Sequence, residues 1–159
     1  MCIRDRHAIF LSSDSTQISR GEELSDTAKV LSGMVDIIMI RTHDHDEVEE
    51  LAKNSSVPVI NGLTEKFHPC QLLADMQTFY EEKGSIDGKK IAWVGDGNNV
   101  LYSLIEAAAK FNFELKIGCP KKYSPNKSIL KFAKKERVKL TITSKPLEAV
   151  TGADCVMTD

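Results

Sequence analysis

"KIAWVGDGNNVLYSLIEAAAKFNFELKIGCP", residues 90–120, decides how the whole chain is read. "KIAWVG" is short, apolar and bounded by polar residues, as a buried strand is; "NVLYSLIEAAAKF" (99–111) reads as a helix, and "ELKIGCP" (114–120) as a second strand. Strand, helix and strand in such close succession form a crossover unit, which brings the two strands into one parallel sheet.

The same alternation extends in both directions. Upstream, "AIFLSS" (8–13), "DIIMIR" (36–41) and "VPVIN" (57–61) read as strands. Between them lie helical patterns at "SDTAKVLSG" (25–33), closed by Gly33, and "HDEVEELAKNS" (45–55), where Asp44 and Glu47 resemble a capping box. A longer helix is expected over residues 69–83, with Pro69 in its first turn, Gly84 as its stop, and Leu72, Leu73, Met76, Phe79 and Tyr80 on one face. Downstream come a helix in "NKSILKFAKKERV", a strand in "KLTITS", a short helix near "PLEAVTG" and a strand in "DCVMTD". The turn-rich "SIDGKK" (85–90) is the expected lobe boundary. The expected fold is α/β, with two lobes, 1–84 and 85–159, each a parallel sheet flanked by helices and joined by a shared helix.

Composition narrows the function classes. Hydrophobic residues make up 42% and charged residues 28% of the 159, the balance of a globular domain. A formal net charge of -2 argues against nucleic acid or a membrane surface as a partner held by bulk electrostatics. No apolar run approaches the ~20 residues that span a bilayer. Cys2, Cys70, Cys119 and Cys155 have no C-x-x-C spacing, which fits reduced thiols in a cytoplasm rather than a disulfide framework or a zinc site.

In open parallel sheets, ligands collect beyond the carboxyl ends of the strands. That rule selects Arg41, the run His68, Pro69, Cys70 and Gln71, and "GDGNNV" (95–100). Free N–H groups in the first turn at Pro69 favour an anionic or carbonyl-bearing ligand. A histidine adds a donor near neutral pH, and Gln71 offers both a donor and an acceptor. The plainer alternatives are a histidine N-cap, an asparagine N-cap and a solvated arginine. "GDGNNV" lacks the third glycine of a dinucleotide fingerprint, which weakens an oxidoreductase reading. The acids of "THDHD" (42–46) suit a helix N-terminus, and no metal is assigned to them.

Together these motifs resemble the aspartate/ornithine carbamoyltransferase family, and most closely its ornithine branch. The resemblance runs from about His7 to Asp159 through "FLSSDSTQISRGEELSDTAKVLSGMVDIIMIR", "FHPCQLLADMQTF", "WVGDGNNVLYSL" and "GADCVMTD". It implies transfer of a carbamoyl group from carbamoyl phosphate to the side-chain amine of L-ornithine, giving citrulline and phosphate in arginine metabolism. It also implies that Arg41 and His68 are catalytic and, with Pro69, Cys70 and Gln71, contact carbamoyl phosphate. Gln17 would reach that site from a neighbouring subunit, and Asn99 would bind ornithine across the cleft, so that its loss affects ornithine alone. A homotrimer or multiple of trimers is implied, with no metal or organic cofactor.

Both ends are expected to be incomplete. "MCIRDR" (1–6) does not fit the fold, and the family's Ser-Thr-Arg-Thr phosphate cradle is expected upstream of residue 1. The carboxylate and Ser-Met residues that grip the amino-acid end of ornithine, and a Cys-Leu-Pro loop, are expected after residue 159. The chain alone is therefore expected to make no measurable citrulline. The alternatives are a carbamoyltransferase acting on putrescine or an acylated ornithine, and a silent binding module.

Overall fold

The computed structural model describes residues 7–12 and 21–159. The chain divides into two compact units, one of residues 1–39 and 46–60, the other of residues 40–45 and 61–159. The first holds helices α1 (Leu24–Ser32) and α2 (His45–Asn54) for most of their lengths. Ala28, Val48 and Leu51 are its buried apolar anchors. The Ser32 hydroxyl donates to Ala28 O at 2.6 Å and lies 3.0 Å from Ser55 Oγ.

Strands β1 (Ile38–Arg41) and β2 (Val59–Leu63) pair as a two-stranded sheet. Ile38 N–H donates to Pro58 O and Thr42 N–H to Leu63 O, so both partners advance together, as in a parallel ladder. The strand expected over 8–13 is not found among the described residues of that stretch, which have no regular structure. Ile9, Phe10 and Leu11 are all exposed, Phe10 at 89%. An apolar run becomes a strand only where another strand accepts its hydrogen bonds, and local pattern cannot show that partner.

The second unit carries a four-stranded sheet in the order β5 (Leu140–Thr143), β4 (Glu114–Gly118), β3 (Lys90–Val94), β6 (Cys155–Met157). All three pairings are parallel, with Trp93 opposite Ile117 on one side and Met157 on the other. Ile91, Ala92 and Trp93 are consecutive and essentially fully buried, as expected of a central parallel strand covered on both faces. Helix α4 (Asn99–Phe111) supplies Leu101, Leu104, Ile105 and Ala108 to the core. Each of these Leu and Ile side chains contributes about 1.5–3 kcal/mol by leaving water, and the Ala108 methyl roughly 0.8 kcal/mol. Asn98 starts α4, its side-chain oxygen accepting from Leu101 N–H at 3.0 Å, and Asn126 does the same for α5 (Lys127–Lys135) at Ile129. The short α6 (Pro146–Val150) packs against β3, β4 and β5.

Helix α3 (Pro69–Lys83) has the expected limits, with Pro69 in the first turn and Gly84 at φ 76° just past the end. Its apolar stripe is narrower than expected. Leu72, Met76 and Phe79 are buried at i, i+4 and i+7, whereas Leu73 and Tyr80, about 100° further round, are 59% and 68% exposed.

Glu106, half-buried on α4, has its carboxyl pushed up by burial, opposed by the charges of Lys66 and Lys110. The folded state thus holds this proton more tightly than the unfolded chain, and the contribution of Glu106 to stability falls as pH rises through its folded pKa. Glu106→Gln should therefore be more stable than the parent at about pH 7, with the difference closing by about pH 3, below the ordinary glutamate value, where the carboxyl is protonated in both states. Urea midpoints measured at both pH values test this, and a difference that widens on acidification overturns it.

Candidate active site

Two of the sequence-predicted positions, His68 and Asn99, meet around one turn. After β2 the chain tightens at Thr64–Phe67: Thr64 N–H donates to Phe67 O at 2.9 Å, and Phe67 N–H to Thr64 Oγ1 at 3.0 Å. Thr64 is fully buried. The loop after Arg41 lies alongside, because Glu65 N–H donates to His43 O at 3.1 Å and His45 Nδ1 is 3.2 Å from Thr64 Oγ1. Arg41 itself is exposed at the end of β1. From α4, Asn99 Nδ2 donates to Thr64 O at 2.8 Å, and Ser103 Oγ accepts from His68 N–H at 2.8 Å.

His68 occupies the N-cap position of α3, yet its side chain makes no capping bond. Its backbone has ψ 66°, whereas the capping asparagines Asn98 and Asn126 have ψ -176° and 161°. Nδ1 of the ring is buried with no hydrogen-bond partner, as is the side-chain oxygen of Asn61. An unpaired buried polar atom costs about 1–3 kcal/mol, and a ligand able to pair with it offsets that cost. The ring is therefore not spent on capping the helix.

The neighbours of His68 have divided roles. Cys70 is exposed, and its thiol donates to Asn61 O at 3.3 Å, tying the start of α3 to β2. Gln71 Nε2 donates to Asp75 Oδ1 at 2.9 Å, one helical turn on. His68 and Gln71 line a cleft of about 690 Å³ that continues past Trp93 to Thr158 and Asp159. Asp159 accepts from Asn98 Nδ2 at 2.7 Å, which places a carboxylate beside the entrance to α4. Gln17 lies outside the described residues.

The "GDG" loop has a structural use for its second glycine. Gly97 N–H donates to Tyr123 O at 2.7 Å, and a Cβ at Gly97 would sit 2.7 Å from both Tyr123 O and Pro125 N. The close approach that a dinucleotide pyrophosphate would need is taken by this chain's own backbone. Gly97→Ala should cost about 1–3 kcal/mol, because backbone atoms rather than a flexible side chain must yield. An unchanged urea midpoint would show that the 120–125 loop can move aside freely. In "THDHD", His43 Nδ1 faces Glu65 at 3.3 Å and His45 faces Thr64.

Thr64, Ser103 and Asp159 were not singled out by sequence, whereas Asn98, one of the paired asparagines of "GDGNNV", takes the N-cap alternative. Ser103 had a usable signal, being a polar residue four positions after Asn99 amid the apolar run Leu101, Leu104 and Ile105. Thr64 had none, since its partners lie 3 to 35 residues away.

Residues 4–81 match the family model described as aspartate/ornithine carbamoyltransferase, carbamoyl-P binding domain. Residues 87–159 match the model for the Asp/Orn binding domain of the same family. The chain belongs to the aspartate/ornithine carbamoyltransferase family. Among curated relatives, ornithine carbamoyltransferase of Pseudomonas syringae pv. tomato is 57% identical over 152 residues, covering 96% of this chain and 49% of the relative. Among solved structures, ornithine carbamoyltransferase from Burkholderia thailandensis superposes with a TM-score of 0.89 at 48% identity, over 96% of this chain and 52% of that one. The catalytic subunit of aspartate transcarbamoylase from M. jannaschii gives 0.75 at 32% identity, over 92% and 49%. The chain thus spans about half the length of the curated relatives it matches. The Thr64–Asn99 and His68–Ser103 bonds each join a residue of the first matched segment to one of the second.

Proposed function

We propose that the protein carrying this sequence transfers a carbamoyl group from carbamoyl phosphate to the side-chain amine of L-ornithine. The observation that carries this reading is the His68 ring, released from capping and with a buried unpaired nitrogen at the start of α3. The relatives' names supply the substrate class, and the site chemistry fits it. A neutral amine attacks the carbamoyl carbon, forming a C–N bond, and electron density moves onto the carbonyl oxygen. Arg41 and His68 donate to that oxygen as its charge grows, the role of an oxyanion hole. The C–O bond to phosphate then breaks, phosphate leaves with the electron pair, and the nitrogen loses a proton.

Gln71 has its amide nitrogen committed to Asp75, so its side-chain oxygen faces the ligand as an acceptor for the carbamoyl NH2. Pro69 and Cys70 shape the helix entrance. Asn99 and the Asp159 carboxylate serve the amino-acid end of ornithine, and Gln17 reaches carbamoyl phosphate in a neighbouring subunit of a trimer or multiple of trimers. The lobe division expected from sequence, 1–84 and 85–159, follows the two matched family segments, whereas the compact units of the fold divide differently, with residues 61–84 grouped with 85–159. No helix among the described residues is long and apolar enough to cross a membrane, and the reading places the enzyme in the cytoplasm. A citrulline assay with ornithine and putrescine as competing acceptors tests the reading, which fails if putrescine is the preferred acceptor.

The bond from Asn99 Nδ2 to Thr64 O supports a wider role for Asn99 than the ornithine-only one expected from sequence. Asn99→Ala should weaken ornithine binding by about 1–3 kcal/mol, the penalty for an unpaired polar partner. It should also weaken carbamoyl phosphate, because the lost bond to Thr64 O loosens the turn leading into His68. Calorimetric titration of each substrate measures both effects, and an unaltered carbamoyl phosphate affinity would show that the turn holds without Asn99.

A further inference from the structure

We infer that Ser103 is a positioning residue that sets the backbone of His68, and through it the direction of the imidazole; its consequence for carbamoyl transfer rests on the function proposed above. Ser103 is 3% exposed, on the face of α4 that meets the 64–68 turn. Its hydroxyl proton is committed to Asn99 O at 3.1 Å, which leaves the oxygen lone pairs to accept from His68 N–H at 2.8 Å. A hydroxyl can perform both tasks at once, and an alanine can perform neither.

The need for such a holder follows from the backbone of His68. With ψ 66°, it departs from the extended conformation in which a side chain turns back to cap its own helix. The N–H of such a residue would ordinarily meet water. Here it is fixed by a helix 35 residues away in sequence. The other end of the turn is fixed by the same helix, one turn earlier, through Asn99 Nδ2 and Thr64 O. Two points on one rigid helix, four residues apart, therefore clamp the four-residue approach to His68. The clamp residues lie in the segment matched to the Asp/Orn binding domain, and the clamped residues in the segment matched to the carbamoyl-P binding domain.

The test compares the full chain with Ser103→Ala, Ser103→Cys and Ser103→Thr. Ala removes the oxygen, Cys replaces it by a weak acceptor of similar shape, and Thr restores the hydroxyl. Hydrogen exchange at the His68 amide, NMR chemical shifts of the His68 ring protons and carbamoyl phosphate affinity are read on each. In the Ala variant the His68 amide should exchange roughly tenfold faster, the scale of one buried hydrogen bond, while the amides of β3 and β4 keep their protection. The ring-proton resonances should move as the imidazole reorients, and carbamoyl phosphate affinity should fall about tenfold, with Cys intermediate and Thr near the parent. Unchanged His68 exchange and ring resonances in both Ala and Cys variants would overturn the inference. So would losses that track a general loss of protection in β3 and β4 and are not restored by Thr. A full-length protein carrying this sequence that does not bind carbamoyl phosphate would sink the functional reading, while exchange and ring resonances would still decide the role of Ser103.

Discussion

With carbamoyl phosphate and ornithine supplied, His68→Ala in the protein carrying this sequence should lower kcat by about 10²-fold or more, the scale of removing one oxyanion donor. The loss should fall on kcat more than on KM, because the donor matters most when charge has gathered on the carbonyl oxygen. Stability should hardly change. The imidazole makes no capping bond, its buried Nδ1 has no partner to lose, and the backbone bond to Ser103 survives the substitution. Turnover near that of the parent in a citrulline assay would falsify the role assigned to His68. A large drop in the unfolding midpoint would instead mean that the ring holds the helix entrance together.

The largest effect on the fold is expected at Trp93. Its side chain is fully buried in the middle of β3, between β4 and β6, within the core that α4 covers. The indole N–H donates to Asp96 O at 3.2 Å, so the ring also anchors the loop that leads to Asn98 and Asn99. Trp93→Ala should cost about 3–5 kcal/mol, combining lost burial with the cavity left behind. Against a total stability of about 5–15 kcal/mol for an ordinary domain, that is a large share. Far-ultraviolet circular dichroism in urea follows the transition without relying on the tryptophan itself. A loss below about 1 kcal/mol would mean that the neighbouring chains collapse into the space.

How far the sequence carried the reading differs from element to element, for physical reasons. Helices α3 and α4 were legible to their end residues, because Pro69 and Asn98 mark starts by local chemistry. The strand expected over 8–13 was misjudged because strand formation depends on a partner outside the stretch. In the candidate site, what sequence made legible was placement: Arg41 ends β1 and His68 opens α3 after β2, both beyond the carboxyl ends of parallel strands. The clamp that orients His68 was not legible, since its bonds join residues 35 apart, and the Asn98–Asp159 bond spans 61. Gln71 was intermediate. Its acid partner four residues on could have been read from helix geometry, and with it which end of the amide remains for a ligand.

The cysteines differ sharply in accessibility, and this gives the site a chemical handle. Burial pushes the Cys119 thiol up, and its Sγ is held against Tyr123 O at 3.0 Å. Burial, with the nearby charge of Asp75, pushes the Cys155 thiol up as well. Cys70 is the exposed thiol among those described, two residues from His68. With Cys2 replaced, a maleimide fluorophore should attach at Cys70 first, since thiolate supply and access govern the rate. A dye fixed there reports the polarity of the first turn of α3 directly, so arrival of an anion at the helix entrance can be followed optically, without turnover.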